Sequence, residues 1–328
     1  MRCESVKPGL ASQGSVFHSE QVISSLVLST RKPGRHRSIR RTPADDAYVE
    51  PHELETPTVT DRPSWAPQGI DLTVPSVSRV YDYFLGGSHN FEVDREAARV
   101  ALKAFPGIPK IGQANRAVMR RAVQFAVDRG IRQFLDIGSG IPTFGNVHEV
   151  AQAAAPGARV MYVDNDPVAV AHSKAVLADN PDAAIAAADL RDPRSILEHP
   201  ETRRLLDLDQ PIALMLVAVV HFLPDADRPA EIIATLRDAL APGSVMVITH
   251  ATLLGPTPQA QRGVQEAYQR TTTPLLMRTA AELEPFFDGF DLVEPGIVPL
   301  PHWRPDSPVT EDDDTAALHG LAGVGLKA

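Results

Sequence analysis

Three aspartates stand behind successive short apolar runs, and carboxylates so placed can recognise a cation and a pair of hydroxyl groups. Phe134-Leu135-Asp136-Ile137 enters Gly138-Ser139-Gly140, Val160-Met161-Tyr162-Val163 ends in Asp164, and Ala184-Ile185-Ala186-Ala187-Ala188 ends in Asp189. Glycines at the carboxyl end of a strand let a ligand press against bare backbone, and an acid closing the next strand can accept both hydroxyls of a ribose. An acid after the third strand can accept from an exocyclic amine. Strand-end aspartates also cap turns, so each is a weak signal alone and the three are a strong one together. Asp166, just before Pro167, is read instead as a helix N-cap.

The ligand is chosen by charge. A dinucleotide fingerprint needs G-x-G-x-x-G, and Thr143 occupies the third glycine position. Asp136 would also face the pyrophosphate, and two unit charges at ~4 Å and an effective dielectric of about 20 repel by about 4 kcal/mol. S-adenosylmethionine, with an ammonium and a sulfonium, turns that repulsion into attraction. His221 and His250, just beyond the fourth and fifth apolar runs, sit where a general base would face a transferred methyl group. Tyr81 and Tyr83 are weaker candidates. Gly138-Ser139-Gly140 lacks the G-x-S-x-G spacing of a nucleophile elbow. The 11 histidines show no metal-ligand spacing.

The elements that must hold these groups follow from the period of the apolar residues. Helices are expected near 76–85, 94–104 and 113–129, before the first strand. From Arg132 on, runs at 133–137, 159–163, 184–188, 212–220 and 244–249 alternate with helices near 146–155, 167–178, 193–206 and 227–240, the pattern of a doubly wound parallel sheet. Asn146-Val147-His148-Glu149 has the form of a capping box. Further helices are expected near 259–270 and 279–287, a strand near 290–299, a solvated acidic turn at 311–314 and a last apolar stretch at 318–326. Gly86-Gly87, beside Ser88-His89-Asn90, reads as a flexible joint.

Composition bounds the rest. The 328 residues are 43% hydrophobic and carry a net charge of −9, with 29 prolines. The single cysteine, Cys3, excludes an internal disulfide and a cysteine zinc site, which suits a reducing cytoplasm. No segment reads as a membrane span or a cleavable signal. Residues 1–41 hold eight Lys/Arg against two Asp/Glu, so the remainder is more acidic than the whole, which argues against nucleic acid as a partner. Residues 1–70 read as a disordered leader, such as an upstream misassigned start codon would also produce. Residues 71–131 read as a helical segment ahead of the ligand-binding domain, 132–328.

The motifs Arg79-Val80-Tyr81-Asp82-Tyr83-Phe84-Leu85-Gly86-Gly87, Ala114-Asn115-Arg116, Phe134 to Thr143, Asn146 to Glu149, Tyr162 to Pro167, Asp189-Leu190-Arg191-Asp192-Pro193 and Trp303-Arg304-Pro305 carry a resemblance. From about Pro75 onward the chain resembles the class I S-adenosylmethionine-dependent methyltransferases, and more narrowly the actinomycete S-adenosyl methyltransferase family of unassigned substrate. Leu326 stands where that family tends to have Arg. The resemblance implies a Rossmann-like α/β fold with a seven-stranded, mostly parallel sheet, an antiparallel last strand and helices before Arg132 lying over the cofactor as a lid. It implies cofactor contacts at Asp136, Gly138, Gly140, Asp164, Asp189 and Leu190. Ser139, Asn165 and Asn90 join the candidate set from the same motifs and loop, and Arg116 as a partner for the methionine carboxylate. The expected acceptor is a small molecule, bordered by the Tyr268 to Arg278 region and the first helices; oligomeric state is left open. A binding protein without turnover and, further off, a nicotinamide-dinucleotide enzyme are the alternatives.

Overall fold

The structure is a computed structural model that describes residues 63–252, 258–269, 271, 273–310 and 319–328. The expected leader therefore lies mostly outside the described residues, as does the acidic turn at 311–314. Its last residues are packed: Trp65 stacks on Phe91 with ring centroids 5.1 Å apart, and Ala66 is buried. Ordered packing thus starts before residue 70, earlier than composition indicates, because two apolar residues among prolines carry no period.

Three helices precede the sheet: α1 (Val77–Phe84), α2 (Glu92–Ala104) and α3 (Ile108–Asp128). Then β1 (Gln133–Ile137), α4 (Val147–Ala154), β2 (Arg159–Asp164), α5 (Pro167–Val176) and β3 (Ala183–Ala187) alternate. They are followed by α6 (Pro193–Glu198), α7 (Pro200–Leu205), β4 (Ala213–Val217), α8 (Pro229–Asp238) and β5 (Val245–Ala251). The chain closes with α9 (Pro258–Tyr268), α10 (Ala280–Leu283), β6 (Phe290–Leu292), β7 (Val298–Pro299) and β8 (Gly320–Lys327). No helix among the described residues is long and apolar enough to cross a membrane.

The strands form one sheet in the order β3-β2-β1-β4-β5-β8-β6, with β7 paired to β8 off this path. β1 to β5 are parallel, and β8 runs antiparallel to its neighbours β5, β6 and β7. The sheet has eight strands where seven were expected, because Pro295 and Gly296 split the run at 290–299 in two. Strand order reverses between β1 and β4, which opens a crevice at their carboxyl ends. Side chains alternate across the sheet: Phe134, Val160 and Met215 pack under α3 and α4, while Leu135, Ile137, Leu214 and Leu216 pack against α6 to α8. A third cluster, Val80, Phe84, Ala97, Ala98, Ala101, Val264 and Tyr268, holds α1, α2 and α9 together.

Two further departures have local causes. The helix expected over 193–206 breaks at His199 (ψ 136), since a residue before proline is pushed out of the helical region. The apolar run at 212–220 leaves the sheet after Val217, where Ala218 turns left-handed (φ 56) and Val220–Phe222 forms a single 3₁₀ turn. That departure places Val217, Ala218 and Val219 on the wall of the central cavity.

Candidate active site

A cavity of about 660 Å³ opens at the carboxyl ends of β1, β2, β4 and β5 and runs beneath α1, α3 and α9. Sites for small molecules and cofactors usually span roughly 300–1,000 Å³. Its wall includes Asp136, Gly138, Ser139, Gly140, Asp164, Asn165, Asp189, Leu190, Arg116, His221 and His250. Eleven of the twelve residues singled out from sequence therefore meet on one surface. Asn90 does not: it is buried outside the wall, where its Nδ2 donates to Asp82 Oδ2 at 2.8 Å and to the Gly87 carbonyl at 3.0 Å. The Asp82 carboxylate also accepts the His89 N–H at 2.9 Å and fills the space a Gly87 side chain would need. The Gly86-Gly87 segment, expected as a flexible joint, is a tied corner.

The glycine loop is shaped by what surrounds it. Gly138 has φ +74, and a Cβ there would lie 2.6 Å from Val219 Cβ. Gly140 (φ +68) faces open space, so its backbone is bare toward the cavity. Ser139 Oγ is buried without a hydrogen-bond partner. Asp164 braces the loop from β2: its Oδ2 accepts the Gly140 N–H at 2.7 Å and its Oδ1 accepts the Asp166 N–H at 2.8 Å. Burial nevertheless raises its pKa to about 6, the amide hydrogen bonds opposing the shift.

Asp136 is the more exposed to consequence. It is 7% exposed and has no hydrogen-bond or ion-pair partner among the described residues. Burial pushes its pKa to about 7, with Arg116 acting to lower it and Asp164 to raise it. A buried carboxylate without a partner is costly in its charged form, and a cationic ligand group supplies what is missing.

The other acids and bases are more committed. Asp189 Oδ1 accepts the Arg191 N–H at 2.9 Å, and its Oδ2 accepts from Arg191 Nη1 and Asn165 Nδ2, each at 3.0 Å. Arg116 Nη2 donates to the carbonyls of Phe144 and Gly145 and to Asn146 Oδ1, pinning the loop ahead of α4. Asp166 caps α5, accepting from the N–H groups of Val168 and Ala169.

The two histidines differ in what their ring nitrogens are free to do. His250 Nδ1 donates to the Ala251 carbonyl at 2.7 Å, and its Nε2 accepts from Arg278 Nη1 at 3.1 Å. A carbonyl only accepts and a guanidinium only donates, so the tautomer is dictated and both nitrogens are spent. Burial lowers its pKa to about 4. His221 has the opposite tautomer, because its Nδ1 accepts the Ala251 N–H at 3.3 Å. Burial holds its pKa well below the usual imidazole value, with His250 and Arg278 adding to the effect.

Three further groups frame this wall; Tyr81, Arg79, Asn115 and Arg278 stood in segments singled out from sequence without these roles, and Thr249 carried no signal there. Thr249 Oγ1 donates to Asn115 Oδ1 at 2.6 Å and accepts the Ala218 N–H at 2.8 Å, while Asn115 Nδ2 donates to Tyr81 Oη at 3.1 Å. Arg278 reaches the Leu223 carbonyl and Asp225 besides His250. Arg79, 3% exposed, lies 3.5 Å from Asp94 and 3.4 Å from Asp166 and joins α1 to the start of α5. A charged residue on the buried face of a helix breaks the apolar pattern that would reveal it.

The sheet, with an acid-bordered glycine loop at its switch point, is that of a Rossmann-like methyltransferase fold. A family model for S-adenosyl methyltransferases matches residues 63–328, and the chain belongs to that family. It is an S-adenosylmethionine-dependent methyltransferase. A crystal structure of a Thermobifida fusca protein, provisionally named a methyltransferase, is 43% identical and aligns over 81% of this chain and 99% of its own, with TM-score 0.76. A DUF574-family protein from Streptomyces avermitilis is 40% identical over 79% of this chain and 99% of its own, with TM-score 0.73. No curated protein matches the chain. The unpartnered Asp136 carboxylate, the orphaned Ser139 hydroxyl and the open backbone face of Gly140 fit S-adenosylmethionine, which is cationic and carries a ribose.

Proposed function

We propose that this enzyme methylates a small-molecule acceptor in the cytoplasm, with residues 71–131 forming the lid and the strand-end acids holding the cofactor. Asp136 receives the ammonium, Asp164 the ribose hydroxyls, and the Gly138–Gly140 backbone lies against the amino-acid portion. Asp189, Asn165 and Leu190 border the adenine, and the nitrogens of Arg116 not committed to the Phe144–Asn146 loop face the carboxylate. S-adenosylmethionine supplies a methyl group on a sulfonium, whose departure leaves a neutral thioether. The protein's part is then to orient the acceptor and exclude water, since proximity and alignment can supply most of such an acceleration.

The observation that carries this reading is the isolated Asp136 carboxylate at the head of the glycine loop. It disfavours a pyrophosphate and leaves the nicotinamide alternative without support. Neither histidine serves as the base expected from sequence: His250 has no free nitrogen and His221 Nε2 already holds a proton in its neutral form. Calorimetric titration of the purified protein with S-adenosylmethionine, S-adenosylhomocysteine and NAD tests the proposal. Micromolar binding of the first two and none of NAD is expected; tighter binding of NAD would overturn it.

A further inference from the structure

Charge is unevenly distributed over the segments that build the cavity wall. All of its Asp and Arg side chains come from residues 71–191, and from Val217 onward its described residues include no carboxylate, ammonium or guanidinium. That second half is built from Phe222, Val264, Tyr268, Leu275 and Met277, which also belong to or pack on the lid cluster. Phe222 and Tyr268 have ring centroids 6.0 Å apart and an interplanar angle of 31°. Aromatic faces at such separations accommodate another ring by stacked or edge contacts. Among the described residues, an ion set against these side chains meets no opposite charge on the lining itself, and the Arg278 guanidinium behind His250 is already committed to Asp225 and the Leu223 carbonyl.

Neutral polar side chains interrupt the apolar surface, Thr252, Tyr268, Thr273 and His319 among them, and one of them, His221, is a donor whose tautomer is fixed. His221 lines the cavity, its Nδ1 is held by the Ala251 N–H, and its Nε2 has no partner among the described residues. A neutral imidazole that accepts at Nδ1 must carry its proton at Nε2. Its ring is kept in place by the neighbouring rings of His250 at 5.4 Å and Phe222 at 4.4 Å, and by the Leu276 N–H donating to its carbonyl at 2.9 Å.

Resting on the methyltransferase reading above, we infer that this half takes an uncharged ring compound and that His221 positions it by donating Nε2–H to an oxygen of that compound. His221 is a specificity-determining donor. The nearby Tyr268 hydroxyl, its ionisation opposed by burial, is a further neutral polar group of the same chamber.

Calorimetry on the full chain saturated with S-adenosylhomocysteine tests this with three probes of one shape: 2-naphthol, 2-naphthoate and 2-naphthylmethylammonium. Naphthol is expected to bind at least about tenfold more tightly than either ion, since a buried unpaired charge costs far more than one hydrogen bond. His221→Phe should weaken naphthol about tenfold, and His221→Gln, which keeps an N–H near the same place, should restore most of it. Long-range ¹H–¹⁵N spectra of histidine-labelled wild type, which need no variant, should show His221 protonated at Nε2 and His250 at Nδ1. Equal or tighter binding of either ion, no binding of naphthol at millimolar concentration, or a proton on His221 Nδ1 would each overturn the inference. Failure of S-adenosylhomocysteine itself to bind would instead overturn the methyltransferase reading on which it stands.

Discussion

Asp164 and Gly140 are joined by a 2.7 Å hydrogen bond in which the loop amide donates to the carboxylate, so the acid ending β2 sets the shape of the glycine loop leaving β1. The residue expected to read the cofactor's ribose therefore also builds the surface beneath it. Asp164→Ala should lower S-adenosylhomocysteine affinity by roughly 10- to 100-fold or more, since hydrogen bonds to a charged group contribute about 1.5–3 kcal/mol. Asp164→Asn, which keeps an acceptor for one amide, should lose less. Calorimetry on both variants gives the comparison, and equal losses would separate the loop from the binding.

Cofactor affinity should depend on pH through Asp136. With its pKa raised to about 7 by burial, the ligand-free protein holds a proton there that the unfolded chain has lost, so its own stability falls as pH rises from about 4 to about 7. A cationic ligand favours the ionised carboxylate and binds with release of that proton. Affinity for S-adenosylmethionine should rise between pH 5.5 and 8, by at most about tenfold per unit. Asp136→Asn should bind more weakly and flatten the profile. Titrations in buffers of different ionisation enthalpy would show whether the proton is released.

At Gly138, conformation and space act together. An alanine would need φ near +74 and would run its Cβ into the Val219 side chain. Gly138→Ala should cost about 1–3 kcal/mol from the backbone alone, with crowding added. Adding Val219→Ala should recover the crowding but not the backbone cost. Thermal denaturation of the single and double variants separates the two.

The Arg79 clasp should be one of the larger contributors to the stability of the helices ahead of the sheet. Removing the cation leaves Asp94 and Asp166 buried near each other, and breaking a buried pair on one side typically costs about 3–5 kcal/mol. Arg79→Met should shift the urea midpoint accordingly, and Arg79→Met with Asp94→Asn should recover part of the loss. No recovery would mean that packing against Phe91, 5.1 Å from the guanidinium, is what matters.

The strand-end acids and the glycine loop were legible in the sequence because parallel strands buried on both faces are short apolar runs, and whatever follows them sits at the crevice. The exit of β4 was not, since Val217 to Val220 is as apolar as a strand while Ala218 turns left-handed. Asn90 was assigned to the cofactor from its place after two glycines, yet it serves the Asp82 corner. The roles of His221 and His250 could not be read from position, because they depend on Ala251 and on Arg278, 28 residues along the chain. Residue type suggested bases; which ring nitrogen carries the proton is set by tertiary contacts.

The cluster joining α1, α2 and α9 has its own consequence. Phe222, Leu275 and Met277 pack on it but stay half-buried, because they also line the cavity. A ring compound seated there would finish an interior that the polypeptide alone leaves open, so a fitting substrate acts as a missing piece of structure. Heat resistance measured across a chemical library would then rank compounds by how well they complete the fold, with no need to know the reaction product.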